Sequence, residues 1–145
     1  MSTPGYDDLE VGTELPARDF PVTRLDLVRY CGASGDANVI HWNERIAKAV
    51  GLPDVIAHGM FTMAQAGRFV TDWAGDPGAV VSFSTRFSRP VVVPDDDRGE
   101  VVTVSGRVEA KADGLVTLAL SATTGRVPDD VRVLSAARAV VRLPA

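Results

Sequence analysis

The sequence predicts an α+β fold in which helices precede a mostly antiparallel sheet. Two observations support this prediction. Apolar residues recur at spacings of three and four up to about residue 73, and from residue 80 onward they alternate with polar residues. The first period is typical of helices with one buried face, and the second of strands with one buried face. Because the strands follow one another through turns, we expect them to pair in antiparallel order with the helices on one side.

Two short helices are predicted ahead of a longer one. Thr23 followed three residues later by Asp26 is a helix-capping arrangement, and apolar residues behind it recur at helical spacing, which predicts a helix over Thr23–Ala33. Asn43 suits the cap of a second helix, and Gly51 suits its end. Residues 34–38 are rich in Gly, Asp and Asn, which predicts a loop between the two helices.

The longer helix and the strands are separated by a run of turn residues. Spacings of three and four predict a helix over Gly59–Trp73, much of it buried, and residues 75–78 then read Gly-Asp-Pro-Gly. Asp113-Gly114 is a strong signal for a tight hairpin between two strands. The strands predicted from alternation are Val80–Phe87, Val102–Ala110, Val116–Ala122 and Val131–Leu143.

Composition limits the class of protein. A chain of 145 residues has the size of one domain, and we expect a single domain over residues 1–145. Its 15 basic and 19 acidic residues give a net charge of -4, which argues against nucleic acid or an anionic membrane as a partner. Cys31 is the only cysteine, residues 1–10 have no apolar run, and polar residues interrupt the apolar stretch 56–73. We therefore expect a cytoplasmic protein without a disulfide, a leader peptide or a membrane span.

Asp36 and His41 are candidates for acid-base chemistry. They lie five residues apart across the predicted loop, so a carboxylate and an imidazole could face one pocket and share a water molecule. The alternative is that Asp36 only bonds the backbone of the turn and His41 caps the next helix. Spacing alone favours this structural alternative.

His58-Gly59-Met60 opens the longer helix. A glycine at this point can present its N–H group at a helix N-terminus, where the helix dipole favours a partly negative carbonyl oxygen. The alternative is only a tight start of the helix.

Together these motifs resemble the MaoC-like, or (R)-specific, family of hydratases and dehydratases. The resemblance lies in residues 30–41, Tyr-Cys-Gly-Ala-Ser-Gly-Asp-Ala-Asn-Val-Ile-His, and in residues 57–60, Ala-His-Gly-Met, and it extends over nearly the whole chain. Within the family, the chain is most similar to the catalytic B-type subunit of actinobacterial (3R)-hydroxyacyl-ACP dehydratases. The family usually has proline at this position, whereas this chain has Val39. Valine does not fix φ as proline does, so the loop would be less rigid here.

The resemblance implies a hotdog fold, in which a curved antiparallel sheet wraps a long central helix, and it implies roles for four residues. Asp36 and His41 would be the catalytic pair, with His41 at the C2 proton and Asp36 at the departing hydroxyl, although the two roles could be exchanged. The Gly59 N–H would lie on the thioester carbonyl, and Asn38 would brace the loop beside the substrate.

The resemblance also implies partners. The substrate would be an acyl-CoA or an acyl-ACP, in fatty-acid or polyketide metabolism, and no cofactor or metal would be needed. Relatives with this fold usually pair their sheets, so a homodimer or a heterodimer with a second hotdog subunit is expected. Four arginines could meet the phosphate groups of such a carrier, although scattered surface charges are an equal alternative. They are Arg24, Arg68, Arg86 and Arg89.

Three other functions fit the sequence less well. A hotdog thioesterase typically carries a carboxylate on or near the long helix, where this chain has only Asp72 near the far end. A noncatalytic partner subunit would lack the acid-base pair. A metal site needs three or four ligands, and the histidines are only His41 and His58.

Overall fold

The computed structural model describes residues 4–126 and 130–144. Two single 3₁₀ turns, Val39–His41 and Pro77–Ala79, accompany the regular elements. In chain order these elements are β1 (Glu14–Val22), α1 (Arg24–Ser34), α2 (Glu44–Ala49), α3 (Gly59–Ala74), β2 (Val80–Phe87), β3 (Glu100–Ala112), β4 (Leu115–Thr124) and β5 (Arg132–Arg142). The predicted α+β class is confirmed.

The five strands form one antiparallel sheet in the order β1-β3-β4-β5-β2. The hairpin between β3 and β4 turns at Asp113 and Gly114, whose φ angles of 52° and 75° are both left-handed. Two consecutive left-handed residues are what a two-residue hairpin turn of the common twist requires. Strands β1 and β2 are the two edges of the sheet.

The structure corrects the predicted order of elements, because strand β1 precedes the helices. Pro16, Pro21 and several charged residues conceal its alternation, although Leu15, Phe20 and Val22 are buried. Proline is tolerated in β1 because an edge strand needs hydrogen-bonding partners on one side only.

The helix boundaries follow their local signals. Thr23 and Asp26 form a capping box at the start of α1, and Asn43 caps α2 through its side chain. Helix α3 ends at Ala74, one residue beyond the predicted helix, and Gly75 follows it in the left-handed conformation. In the described residues, no helix has both the length and the hydropathy of a membrane-spanning segment.

Helix α3 packs along the sheet and forms the centre of the core, with contacts to β2, β3 and β5. Its buried residues include Ala66, Phe69 and Val70. Gly106 on β3 allows this close approach, because a Cβ atom there would lie 2.9 Å from Leu120 and 3.4 Å from the Phe69 ring. The N-terminus of α3 consequently lies at one end of the sheet, beside the loop that follows α1.

Candidate active site

Asp36 lies in the loop directly after α1. Gly35 ends that helix in the left-handed conformation and turns the chain outward, so that Asp36 is exposed. The Asp36 carboxylate accepts a hydrogen bond from the Asn38 N–H at 3.2 Å. The Asp36 main-chain carbonyl accepts one from His58 Nε2 at 3.0 Å. The loop is therefore held both by its own turn and by the residue that precedes α3.

His41 ends the 3₁₀ turn Val39–His41 and is only 7% exposed. Its Nδ1 lies 2.7 Å from the main-chain oxygen of Ile56. A carbonyl oxygen only accepts, so Nδ1 carries the proton and donates it. The lone pair of the neutral imidazole is then on Nε2, which is the atom available to take a proton from a substrate.

The surroundings of His41 favour its neutral form. Burial lowers the pKa of His41 below its ordinary value, and the nearby imidazole of His58 adds to this lowering. The hydrogen bond to Ile56 and the charge of Asp36 raise the pKa of His41, but the net shift remains a lowering. A histidine with a lowered pKa is unprotonated at neutral pH, as a general base must be.

Asp36, His41 and His58 each place a potential ligand atom within 4.8 Å of the other two. The imidazoles of His41 and His58 stack with centroids 3.7 Å apart and planes inclined by 24°. In-plane lone pairs of stacked rings run side by side, so they do not converge on one ion as metal coordination requires. One nitrogen of each ring is also directed at a carbonyl oxygen. The geometry fits an acid-base pair better than a metal centre.

Gly59 is the first residue of α3. Its preceding residue, His58, makes no side-chain cap, and the first N–H groups of a helix have no partner within it. A Cβ atom at position 59 would lie 3.2 Å from the ring of Phe87, at the end of β2. Glycine therefore lets the helix terminus come close to Phe87, and leaves an N–H group and the positive end of the helix dipole facing outward.

His41 and Gly59 line the same cavity, which has a volume of about 380 Å³. Its walls are largely apolar and include Ile56, Phe87 and Val91. The Asp36 carboxylate lies beside His41 but is not among the lining residues. The structure thus brings Asp36, His41 and Gly59 together at one end of α3, with the first of them on the exposed side.

For His41, Asp36 and Asn38, the structure bears on whether each side chain is free for a catalytic role or is used in local hydrogen bonding. His41 does not cap the next helix, because Asn43 does. Asp36 does bond the turn backbone, as the alternative expected, and this leaves its second carboxylate oxygen available. Asn38 caps the 3₁₀ turn by accepting from the Ile40 N–H at 3.3 Å, which agrees with a bracing role.

Two residues at the site were not assigned a role from the sequence. His58 was noted as part of the helix start and as a possible but insufficient metal ligand, yet it is 2% exposed and contacts both members of the pair. Phe87 was noted only as the end of a strand, yet it lines the cavity. A histidine directly before the glycine of a helix start was the available signal for the first. No local signal pointed to the second, because its place depends on how β2 meets α3.

The four arginines separate into two groups. Arg24 is bound to the Val93 carbonyl and to Asp54, and Arg68 pairs with Asp72, so both have structural partners. Arg86 and Arg89 are exposed and have no ion pair in the described part of the chain. Arg89 lines the cavity of His41, and also an adjoining cavity of about 530 Å³ that includes Arg132.

A five-stranded antiparallel sheet packed on one long helix, with a histidine and a carboxylate close together at the N-terminus of that helix, defines a hotdog-fold protein. The family described as MaoC like domain matches residues 8–125. The chain belongs to this family, as its motifs predicted.

Three known proteins illustrate the similarity. The 3-hydroxyacyl-thioester dehydratase X of Mycobacterium tuberculosis is 43% identical over 79 residues, which cover 54% of this chain and 27% of that protein. The 3-oxo-4,17-pregnadiene-20-carboxyl-CoA hydratase beta subunit of the same organism is 31% identical over 108 residues, covering 74% of this chain and 80% of that protein. A solved structure described as a MaoC-like dehydratase is 39% identical with a TM-score of 0.91, and the match covers 97% of this chain and 42% of that one. The chain thus spans less than half of the first and third of these proteins.

Proposed function

We propose that this chain catalyses the reversible removal of water from (3R)-hydroxyacyl thioesters, which is equally the hydration of 2-enoyl thioesters. The observation that carries the proposal is the pair itself: a buried neutral imidazole and a carboxylate, with atoms within 4.8 Å, beside the free N-terminus of α3. The names of the similar proteins, a dehydratase and a hydratase of acyl thioesters, support the same reaction.

The carbonyl of the thioester would bind at the N-terminus of α3. A hydrogen bond from the Gly59 N–H, reinforced by the helix dipole, stabilises the negative charge that grows on this oxygen when C2 loses its proton. The C2 proton then no longer requires a strong base, and a neutral imidazole is sufficient.

The pair has to move one proton. His41 Nε2 accepts the proton from C2, the C2–H electrons form the C2=C3 double bond, and the C3–O bond breaks. Asp36 binds the departing hydroxyl, which leaves as water once it receives a proton from the pair. The proton taken from C2 and the hydroxyl taken from C3 together make the water product, so Asp36 and His41 return to their starting state. Hydration follows the same path in reverse.

The position of the two groups supports syn stereochemistry. Asp36 and His41 approach the substrate from the same side, because their atoms lie within 4.8 Å of each other. A proton and a hydroxyl handled from one side leave from the same face of the C2–C3 bond. A single hydroxyl configuration at C3 can then reach Asp36 while the thioester oxygen is held at Gly59.

We also propose that a second hotdog subunit, identical or different, covers the site. Phe87 lines the cavity of His41, and Met60 and Trp42 directly follow Gly59 and His41 in the chain. These three side chains are 53%, 56% and 47% exposed, which is unusual for large apolar side chains. Strand β2, which ends at Phe87, is an open sheet edge in the described residues. Pairing of β2 with a second sheet would cover both features and enclose Asp36. Residues 1–145 would then act as one domain of a cytoplasmic dimeric enzyme.

A thioesterase is the main alternative. The helical carboxylate, Asp72, lies thirteen residues after Gly59 and hence about 20 Å along α3. It is also paired with Arg18 and Arg68. Neither its position nor its partners favour an attack on a thioester held at Gly59.

The test is to incubate the protein with crotonyl-CoA and a longer enoyl-CoA while following both the conjugated enoyl absorbance and free thiol. We expect loss of enoyl absorbance without thiol release. In the reverse direction, (3R)-hydroxybutyryl-CoA should give enoyl product and its (3S) isomer should not, which makes the isomer the matched control. Thiol release without enoyl loss would contradict the proposal.

A further inference from the structure

His58 contacts both members of the acid-base pair. Its ring stacks on the ring of His41 with centroids 3.7 Å apart. Its Nε2 lies 3.0 Å from the main-chain oxygen of Asp36. The next residue in the chain is Gly59. One side chain therefore touches two of the three parts of the proposed site and is covalently joined to the third.

The hydrogen bond to Asp36 identifies the tautomer of His58. A main-chain oxygen accepts, so Nε2 must carry a proton, and in the neutral ring Nδ1 then has the lone pair. His58 Nδ1 is buried and has no hydrogen-bond partner in the described residues. A buried polar atom without a partner is costly, so its retention calls for a compensating role.

The two contacts fix different features of the pair. The loop of Asp36 is exposed, and its other hydrogen bonds reach only residues close in sequence, among them Ser34, Asn38 and Trp42. The bond from His58 ties this loop to the start of α3. For His41, the bond to Ile56 fixes one edge of the ring, and the stacked face of His58 limits its rotation about that bond.

Neighbouring residues hold the His58 side chain in place. Its ring meets the ring of Tyr30 edge-on, with centroids 4.7 Å apart, and the whole residue is 2% exposed. His58 is not among the residues that line the cavity, so a substrate in that cavity would contact His41 and Gly59 without contacting His58.

We propose that His58 is a positioning residue, which sets the distance and orientation between Asp36 and His41 through its Nε2–H and its ring face. The inference rests on the proposed function and adds to it a residue that acts without touching the substrate. Its effect should fall on the chemical step and leave substrate binding nearly unchanged.

Two substitutions separate the two contacts. His58→Phe keeps an aromatic face against His41 and Tyr30 but removes the donor to Asp36. His58→Gln keeps an N–H donor on a side chain of similar reach but removes the ring. Because displacements of about 1 Å at a catalytic group can lower rates about 100-fold, we expect each variant to lower kcat by about 10- to 100-fold. We expect KM to change by less than about twofold, as for groups that act only on the transition state.

A pH profile distinguishes positioning from simple packing. The His58 imidazole contributes to the lowered pKa of His41. Both variants should therefore move the acid limb of kcat/KM to higher pH, whereas a variant that only loosens the fold should lower the melting temperature and leave the limb unchanged. Tyr30→Phe is the matched control, because it keeps the ring that meets His58 and removes only a hydroxyl. The proposal would be overturned if a folded His58 variant had the same kcat and the same acid limb of kcat/KM as the wild type. An increase in KM at constant kcat would also overturn it.

The tautomer can be measured on the wild-type protein without substrate. The chain has only two histidines, so long-range ¹H–¹⁵N spectra assigned with a His41→Gln variant report both rings. We expect the proton of His58 on Nε2 and that of His41 on Nδ1. A proton on Nδ1 of His58 would overturn the proposal even if neither His58 variant folds. Failure of the proposed activity would appear instead as an inactive wild-type protein with the expected tautomers.

Discussion

The ring of Phe87 lies 3.2 Å from the position that a Cβ atom on Gly59 would occupy. This contact makes the helix start a place where a side chain and an N–H group can be tested separately. Gly59 is the first helical residue, where proline is tolerated, and His58 has the extended φ and ψ of -59° and 136° that a residue before proline needs.

We therefore expect Gly59→Pro to fold and to lose the N–H donor, and kcat should fall by about 100- to 1,000-fold, as when one oxyanion-hole donor is removed. Gly59→Ala is the steric control, since it adds the same Cβ atom near Phe87 and keeps the N–H. The two variants should be compared by steady-state hydration of crotonyl-CoA and by thermal melting. Equal losses in both would show that crowding against Phe87, and not the donor, explains the effect.

Removal of either member of the pair should abolish most of the activity. Asp36→Asn and His41→Gln are each expected to lower kcat by about 100-fold or more, because general acid-base groups contribute about that much. The control is Asp95→Asn, which changes an exposed aspartate in the acidic loop before β3. Circular dichroism and melting temperature should match the wild type for all three variants. Near-normal turnover by the Asp36→Asn or the His41→Gln variant would refute the catalytic role assigned to the substituted residue.

The pH dependence of dehydration should reflect the lowered pKa of His41. The base must be neutral, so activity is lost as the pH falls through the pKa of His41 in the folded protein. Because burial lowers that pKa, the midpoint of the acid limb of kcat/KM should lie below the ordinary value of 6.5. The profile can be measured on (3R)-hydroxybutyryl-CoA between about pH 4 and pH 8, with circular dichroism at each pH to exclude unfolding. A midpoint above 6.5 would be inconsistent with a buried neutral base.

Much of the fold could be predicted because its signals are local. Thr23 with Asp26, and Asp113 with Gly114, satisfy their own backbone groups within a few residues, so spacing alone revealed them. Strand β1 was missed for the opposite reason. Its prolines are acceptable only at a sheet edge, and the position of a strand in a sheet depends on pairing with distant residues.

The site was predictable to the extent that a motif carried it. Asp36, His41 and Gly59 were selected from two short segments and a family resemblance, and the structure places them together. The stacking of His58 on His41 joins two segments seventeen residues apart, and the Ile56 carbonyl that fixes the His41 tautomer lies fifteen residues away. Contacts of this kind arise from the packing of the loop on α3, which periodicity does not encode.

Arg89 and Arg132 should recognise the phosphate groups of a carrier. Both line the cavity that adjoins the one beside His41, and neither has an ion pair in the described residues. The double variant Arg89→Ala/Arg132→Ala should raise KM for crotonyl-CoA by about fivefold, the effect of an exposed ion pair, and leave kcat unchanged. KM for crotonyl-pantetheine, which has no phosphate, should not change. Arg142→Ala, at an exposed arginine near the other end of α3, is the control. An equal rise for both substrates would exclude phosphate recognition.

The edge of β2 should be the surface that binds the second subunit. Val81 is 55% exposed on this edge strand, and in a two-fold symmetric pairing a lysine at that position would occur twice at the interface. Because like charges brought together cost several kcal/mol, we expect Val81→Lys to weaken self-association by more than about tenfold. Sedimentation across a concentration series measures this directly. Val11→Lys is the matched control, because it makes the same change at a valine that is 64% exposed and lies outside the strands of the described residues.

Since the second subunit would also enclose Asp36, the Val81 variant should lose activity in parallel with the dimer, and activity should return at high protein concentration. Association that persists unchanged in the Val81 variant would place the interface elsewhere on the molecule.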